Sequence, residues 1–178
     1  SGMFIPHVRM MKTCKEKTSL ANLFGLPYVV LRTPIAMDQS TLNFNWQVGG
    51  TGAFSVYTNA TESIDEASAE LGVSAVLRFL SRMGIIKYKC HGGYMGTIID
   101  EDDMMNVTCG AAGIYRSLHK SGDEVEKGDI LAQIIHPYEG NVISEVKAPA
   151  DGILFFAHES PLVMENTIVF KMIKRLHK

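Results

Sequence analysis

The chain has 178 residues, 46% of them hydrophobic, and a formal net charge of −2 at pH 7. That length suits one large or two small domains with a sizeable core, and the slightly acidic balance argues against a nucleic-acid platform. The longest apolar runs, such as Ile153 to Ala157, are far too short to span a bilayer, and no signal-peptide pattern precedes the globular one.

Cys14, Cys90 and Cys109 are odd in number and widely spaced. They suggest neither a disulfide framework nor a thiolate zinc site, and a reducing, cytoplasmic location is expected. The basic end with Lys171, Lys174, Arg175 and Lys178 reads as solvated.

The chain opens at Phe4-Ile5-Pro6-His7-Val8-Arg9-Met10 with no strand or helix before it. Thr18 or Ser19 can cap a short helix through Leu20, Leu23 and Phe24, stopped by Gly25. Tyr28-Val29-Val30-Leu31 is a continuous apolar run, as in a strand buried on both faces. Residues 33 to 52, with Pro34, Gly49, Gly50 and Gly52, read as a long loop in which Trp46 is a packing anchor. A second strand, Ala53 to Thr58, is expected to lie parallel to the first.

Ser63-Ile64-Asp65-Glu66 has the capping-box spacing, and the helix it opens should run to about Met83, with Gly84 as its stop. Ile64, Ala67, Leu71, Ala75, Phe79 and Met83 recur at helical spacing and mark its buried face, widened by Val76 and Leu80. Arg78 and Arg82 suit the negative end of the helix dipole. From Ile85 onward no helical period appears. The expected division is therefore an α/β domain over 1–86 and an all-β domain over 87–178, with the acidic run Asp100 to Asp103 as a solvated link.

The all-β part contains one pattern twice. Val125, Gly128, Ile130, Leu131 and Ile134 correspond, at one fixed offset, to Val163, Asn166, Ile168, Val169 and Met172. Gly128 and Asn166 then occupy equivalent turns that need positive φ, which glycine accepts freely and asparagine tolerates best. This half-repeat resembles the lipoyl/biotinyl barrel-sandwich, in which two halves form a flattened β-barrel. Carriers of that kind present a modified lysine on the hairpin between the halves. Here the hairpin tip is His136-Pro137-Tyr138-Glu139-Gly140-Asn141, and Lys147 lies away from it, just before Ala148-Pro149. The resemblance thus implies the scaffold without the swinging arm.

No complete catalytic constellation is visible: no H-E-x-x-H, no Walker lysine loop, no G-x-S-x-G. His91 reads as a loop histidine, His119 and His136 lack a regularly spaced acidic partner, and His158 falls in a turn. Ligands of open α/β sheets bind at the carboxyl ends of strands. Glu62, four residues after the second strand, can project there, or it and Asp65 can simply charge the helix N-terminus.

The strand ending Phe54-Ser55-Val56-Tyr57, the helix opening Ser63-Ile64-Asp65-Glu66-Ala67-Ser68-Ala69-Glu70 and the lysine-free barrel-sandwich with Ala148-Pro149-Ala150-Asp151-Gly152 together resemble the succinylglutamate desuccinylase/aspartoacylase family. The resemblance implies a partial zinc-carboxypeptidase-like α/β lobe followed by an all-β barrel-sandwich domain. It also implies a zinc-dependent deacylase cleaving the amide bond of an N-acyl amino acid or similar small molecule. The family's zinc ligands, an H-x-x-E motif and a later histidine, fall upstream of the matching residues. One zinc per full-length protein is therefore expected, held by residues outside this chain, and His7 is not taken as a ligand. The family's general-base glutamate closes the strand that matches Phe54-Ser55-Val56-Tyr57, where this chain has Tyr57. Glu62 is the nearest acid and the candidate catalytic residue. The competing readings are a non-catalytic binding or assembly module and, disfavoured by the missing hairpin lysine, a biotin or lipoate carrier. No nucleic-acid or membrane partner is expected, and self-association into a homo-oligomer is left open.

Overall fold

Residues 2–12, 18–60 and 64–175 are described by the structure, a computed structural model. The chain divides into two compact units, one of mixed α/β type and one all-β. β1 (Gly2–Phe4) belongs to the all-β unit, and β2 (His7–Met11) opens the α/β unit, which takes in Pro6–Asn59 and Ile64–Asp103.

In the α/β unit, β2 is flanked by β3 (Tyr28–Arg32), parallel to it, and β4 (Ser55–Tyr57), antiparallel. β5 (Thr97–Asp100) extends the parallel set beyond β3, giving the order β4-β2-β3-β5. The expected parallel pairing of Tyr28–Leu31 with Phe54–Tyr57 does not form, because β2 lies between them and β4 runs the other way. β2 hides in the sequence because His7 and Arg9 alternate with Val8 and Met10, a half-exposed pattern. Both faces are in fact covered, and His7 and Val8 are each 0% exposed.

Val8, Met10 and Val29 share a core with Ala21, Phe24, Leu26 and Ala75, and Leu31, Phe54, Val56, Leu71 and Phe79 pack against it. α1 (Thr18–Ala21) continues as a 3₁₀ turn to Phe24 and stops at Gly25, whose φ is 67°, as the sequence indicates. The 33–52 segment is not a plain loop. It forms a 3₁₀ turn, Ala36–Ser40, and α2 (Leu42–Val48), whose N-cap Thr41 accepts from the Phe44 amide at 3.3 Å. Trp46 is 51% exposed and anchors nothing in the core.

α3 (Glu66–Arg82) begins later than expected. Its N-cap is Asp65, whose carboxylate accepts from the Ala67 amide at 3.1 Å and the Ser68 hydroxyl at 2.7 Å. Ser63 lies outside the described residues. Gly84, at φ 74°, ends the helix with the paired bonds Ile85 N to Leu80 O and Gly84 N to Ser81 O.

The buried face is rotated from the expected one. Ser68, Ala75 and Arg78 are buried and Leu71 and Phe79 half-buried, whereas Ile64, Ala67, Val76 and Met83 are exposed. Arg78 explains the rotation. Its guanidinium donates to the carbonyls of Phe24 and of His91, the latter at 2.8 Å, and Arg82 donates to those of Asn22, Leu23 and Gly92. Both arginines satisfy carbonyls of other segments.

The all-β unit contains β6 (Met105–Thr108), β7 (Gly113–Ser117), β8 (Glu124–Val125), β9 (Ile130–Ile135), β10 (Val142–Lys147), β11 (Gly152–His158), β12 (Leu162–Val163) and β13 (Ile168–Lys174). One antiparallel sheet has the order β1-β11-β13-β6, with β8 added to β11. The other has the order β10-β9-β7-β12. Both contribute to one core that includes Leu131, Ile134, Leu154, Val169, Phe170 and Met172, each 0% exposed. The sheets are open, and the flattened closed barrel of the expectation does not form.

The internal repeat is visible in the hydrogen bonds. Gly128 N donates to Ala148 O and Ala148 N to Asp129 O, and the counterparts are Asn166 N to Cys109 O and Cys109 N to Thr167 O. Each half thus closes its turn on the other half.

Candidate functional site

The described residues place polar groups together at the carboxyl end of the parallel strands in the α/β unit. A cavity of about 70 Å³ is lined there by residues that include Arg9, Arg32, Asp38, Asn43, Ser55 and Tyr57. Register explains the grouping. In the β2–β4 pairing His7 stands opposite Tyr57 and Arg9 opposite Ser55, so these four side chains share one face of the sheet. Arg32 joins them from β3, opposite Met11.

The His7 and Tyr57 rings stack at 4.8 Å with an interplanar angle of 6°. The Arg9 guanidinium lies 4.4 Å over the Tyr57 ring and donates to its hydroxyl at 3.3 Å. The 3₁₀ turn and α2 supply the remaining wall. Asn43 donates to the Ser55 hydroxyl at 2.8 Å, and Asp38 meets Arg32 Nε at 3.1 Å and the Ile35 amide at 2.8 Å. Arg32 also reaches Glu101 at 3.1 Å. Burial alone pushes the Asp38 carboxyl up. The Ile35 amide, Arg32 and the charge of Arg9 together outweigh it and hold the carboxyl below its ordinary value. Burial likewise works against the Arg32 charge, and Asp38 and Glu101 outweigh it.

Glu62, the candidate base, lies outside the described residues, as do Ser63 and Cys14. Tyr57, at the position that the resemblance gives to a glutamate, closes β4. The acidic run is solvated only in part: Asp102 and Asp103 are exposed, while Asp100 and Asp102 pair with Lys12 at 2.6 and 2.9 Å and the half-buried Glu101 with Arg32.

His91 is a loop histidine whose Nδ1 accepts from the Gly93 amide at 3.4 Å. His119 does have an acidic partner, Asp123 at 3.3 Å, four residues on in the turn between β7 and β8, so the expectation that it lacks one at regular spacing is wrong. His136 Nδ1 receives the Tyr138 and Glu139 amides at the hairpin tip. His158 ends β11, edge-on to Tyr115 at 5.4 Å, and is not in a turn. Lys147 lies in β10 opposite Ile130, away from the tip.

Among the described residues no group of three His, Cys, Asp or Glu is placed to hold a metal ion, so they do not by themselves fit a zinc centre. No helix among them is long and apolar enough to cross a membrane. The cavity residues Arg9, Arg32, Asp38, Asn43 and Ser55 escape the sequence reading. The one signal for them is a charged residue set into each of two otherwise apolar strands, Arg9 in β2 and Arg32 in β3.

No family model matches the sequence, and no curated protein matches it. Solved structures do match the fold. A succinylglutamate desuccinylase/aspartoacylase from Rhodobacter sphaeroides superposes with a TM-score of 0.76 at 19% identity, covering 100% of this chain and 56% of its own. The product-bound ectoine utilization protein EutE (DoeB) from Ruegeria pomeroyi gives 0.77 at 18% identity, covering 96% and 54%. A putative succinylglutamate desuccinylase/aspartoacylase from Shewanella frigidimarina NCIMB 400 gives 0.70 at 20% identity, covering 98% and 51%. The chain spans about half the length of these structures, and over that half it has the fold of succinylglutamate desuccinylase/aspartoacylase family proteins.

Proposed function

We propose that this chain forms the C-terminal part of a zinc-dependent deacylase, cytoplasmic, that cleaves the amide bond of an N-acyl amino acid or similar small molecule. The observation that carries the reading is the likeness to deacylase-family structures over 95–100% of the chain. A polar cavity at the carboxyl ends of β2 and β3, where open α/β sheets bind ligands, supports a ligand site in this unit; it does not bear on Glu62, because β4 is antiparallel and its last residue, Tyr57, pairs with His7 at the start of β2.

The zinc ligands come from outside this chain. When bound, zinc in such an enzyme supplies Lewis-acid activation of water and of the acyl carbonyl. The residues of this chain bind and orient the substrate, and Glu62 takes the proton from the attacking water. We read the all-β unit as an open variant of the lipoyl/biotinyl barrel-sandwich, on the strength of its repeated turns at Gly128 and Asn166, without a carrier function.

A second reading, a non-catalytic binding or assembly module, is favoured by Tyr57, which stands where the resemblance places the general base. Metal analysis of the full-length protein, together with amine release from a panel of N-acyl amino acids, separates the two. One zinc per protein with hydrolysis supports the deacylase. Neither zinc nor hydrolysis supports the module.

A further inference from the structure

An antiparallel sheet with one face in water alternates apolar residues inward and polar residues outward. The sheet β10-β9-β7-β12 obeys this on its inner face, where Tyr115, Ile134, Val146 and Val163 join the core. Its outer face departs from it. Register sets Leu162 opposite Ile114, Ile114 opposite Ile135, and Ile135 opposite Val142. One apolar row therefore crosses all four strands. Leu162 is 67% exposed, Val142 43% and Ile114 37%, and Ile135 is half-buried. Single exposed apolar residues are ordinary on a protein surface, whereas a contiguous row marks a surface built to be covered.

The next row along the same face is polar and identifies the cover. Arg116 in β7 stands opposite Gln133 in β9, and Gln133 opposite Glu145 in β10. The Arg116 guanidinium donates to the Gln133 side chain, so both lie on this face. A cation and an anion thus sit one strand to either side of β9. Glu145 is 3.5 Å from Lys147, an exposed pair of small worth that leaves the carboxylate able to take a second cation.

Two copies of this sheet can pack face to face about a two-fold axis running along β9, with β7 of one over β10 of the other. Arg116 then meets Glu145 of the second copy at two symmetric places. Ile135 meets its own copy at the centre, and the apolar row lies on the apolar row. An axis along β7 would instead stack Arg116 on Arg116, and one along β10 would stack Glu145 on Glu145. The charges therefore suit a second copy of this chain in one alignment. Strands ~4.8 Å apart make the face about 15–20 Å wide, on the order of 400 Å² per copy, against ~800 Å² per partner in a standard interface. Such a contact is weak and reversible.

We infer that the outer face of the β10-β9-β7-β12 sheet is a homodimer interface, with a second copy of this chain packed on it about a two-fold axis along β9. The interface does not depend on the deacylase reading.

Sedimentation velocity of the full-length protein from micromolar to millimolar concentration tests it. The wild type should pass from monomer to dimer over that range. Ile135→Glu sets a charge against its own copy and should weaken association about tenfold or more. Ile114→Glu, at a more exposed position, decides if Ile135→Glu fails to fold. The charged row gives the sharper comparison. Arg116→Glu faces Glu145 of its copy and Glu145→Arg faces Arg116, so each variant alone should dimerise several-fold more weakly than the wild type. Mixed in equal amounts, the two variants place opposite charges together at both positions and should associate more tightly than either alone.

A wild type that stays monomeric throughout, a dimer untouched by Ile114→Glu, or no gain on mixing overturns the interface. Monomeric protein in which Ile114 and Leu162 are nonetheless protected from hydroxyl-radical labelling would assign the face to another part of its own chain instead.

Discussion

Gly128 and Asn166 hold the same place in the two halves of the all-β unit, with φ of 98° and 65°, and each donates its amide to the opposite half. Asn166 is the one residue other than glycine with positive φ among the described residues. A β-branched side chain at either turn should therefore cost stability. Gly128→Val should lose about 1–3 kcal/mol by backbone strain alone, since a Cβ there meets nothing within 4 Å. Asn166→Gly should stay within roughly 0.5 kcal/mol, relief of strain offsetting added chain entropy. Urea unfolding midpoints of the two variants check both values.

Asp38 gives the α/β unit an acid-sensitive contact. Its carboxyl is depressed in the folded chain, so the stability it contributes is present above the ordinary carboxylate value and is lost as pH falls through the lower folded one. The wild type should weaken below roughly pH 4. Asp38→Asn should be less stable at pH 7 by about 1–3 kcal/mol and should show a shallower loss in acid. Thermal melts between pH 7 and pH 2.5 measure both slopes.

Asp65, not Ser63, should carry the helix cap. Asp65→Ala removes the acceptor of the Ala67 amide and the Ser68 hydroxyl, and should cost about 1 kcal/mol. Ser63→Ala should cost much less. Equal losses in the two variants would return the cap to Ser63.

Lys147 lies in β10 in register with Ile130, beside Glu145 at 3.5 Å, and the hairpin tip at 136–141 has no lysine. The protein co-expressed with biotin and lipoate ligases should keep the mass of the bare polypeptide. A mass increment mapped to Lys147 would restore the carrier reading.

Elements with a local signature were legible. The repeat announced itself through Gly128 and Asn166, and the long helix through its period and Gly84. What failed depended on partners distant in sequence. The helix face turned because Arg78, polar on any scale, is buried against the Phe24 and His91 carbonyls. β2 was hidden because His7 is buried and Arg9 half-buried beside the Tyr57 ring, which the alternation of residues does not show. The cavity was unreadable for the same reason: Arg9 and Ser55 meet only through the antiparallel pairing of β2 and β4.

Amine release from an N-acyl amino acid by the full-length protein, compared with its Glu62→Gln variant, tests the deacylase proposal most directly. Glu62→Gln should keep the fold and lose about 10²–10⁴-fold in turnover, the usual worth of general acid–base catalysis, while Glu66→Gln in the first turn of α3 should change little. Near-normal turnover in Glu62→Gln would place the base elsewhere, and no hydrolysis by the wild type across the panel would contradict the deacylase outright.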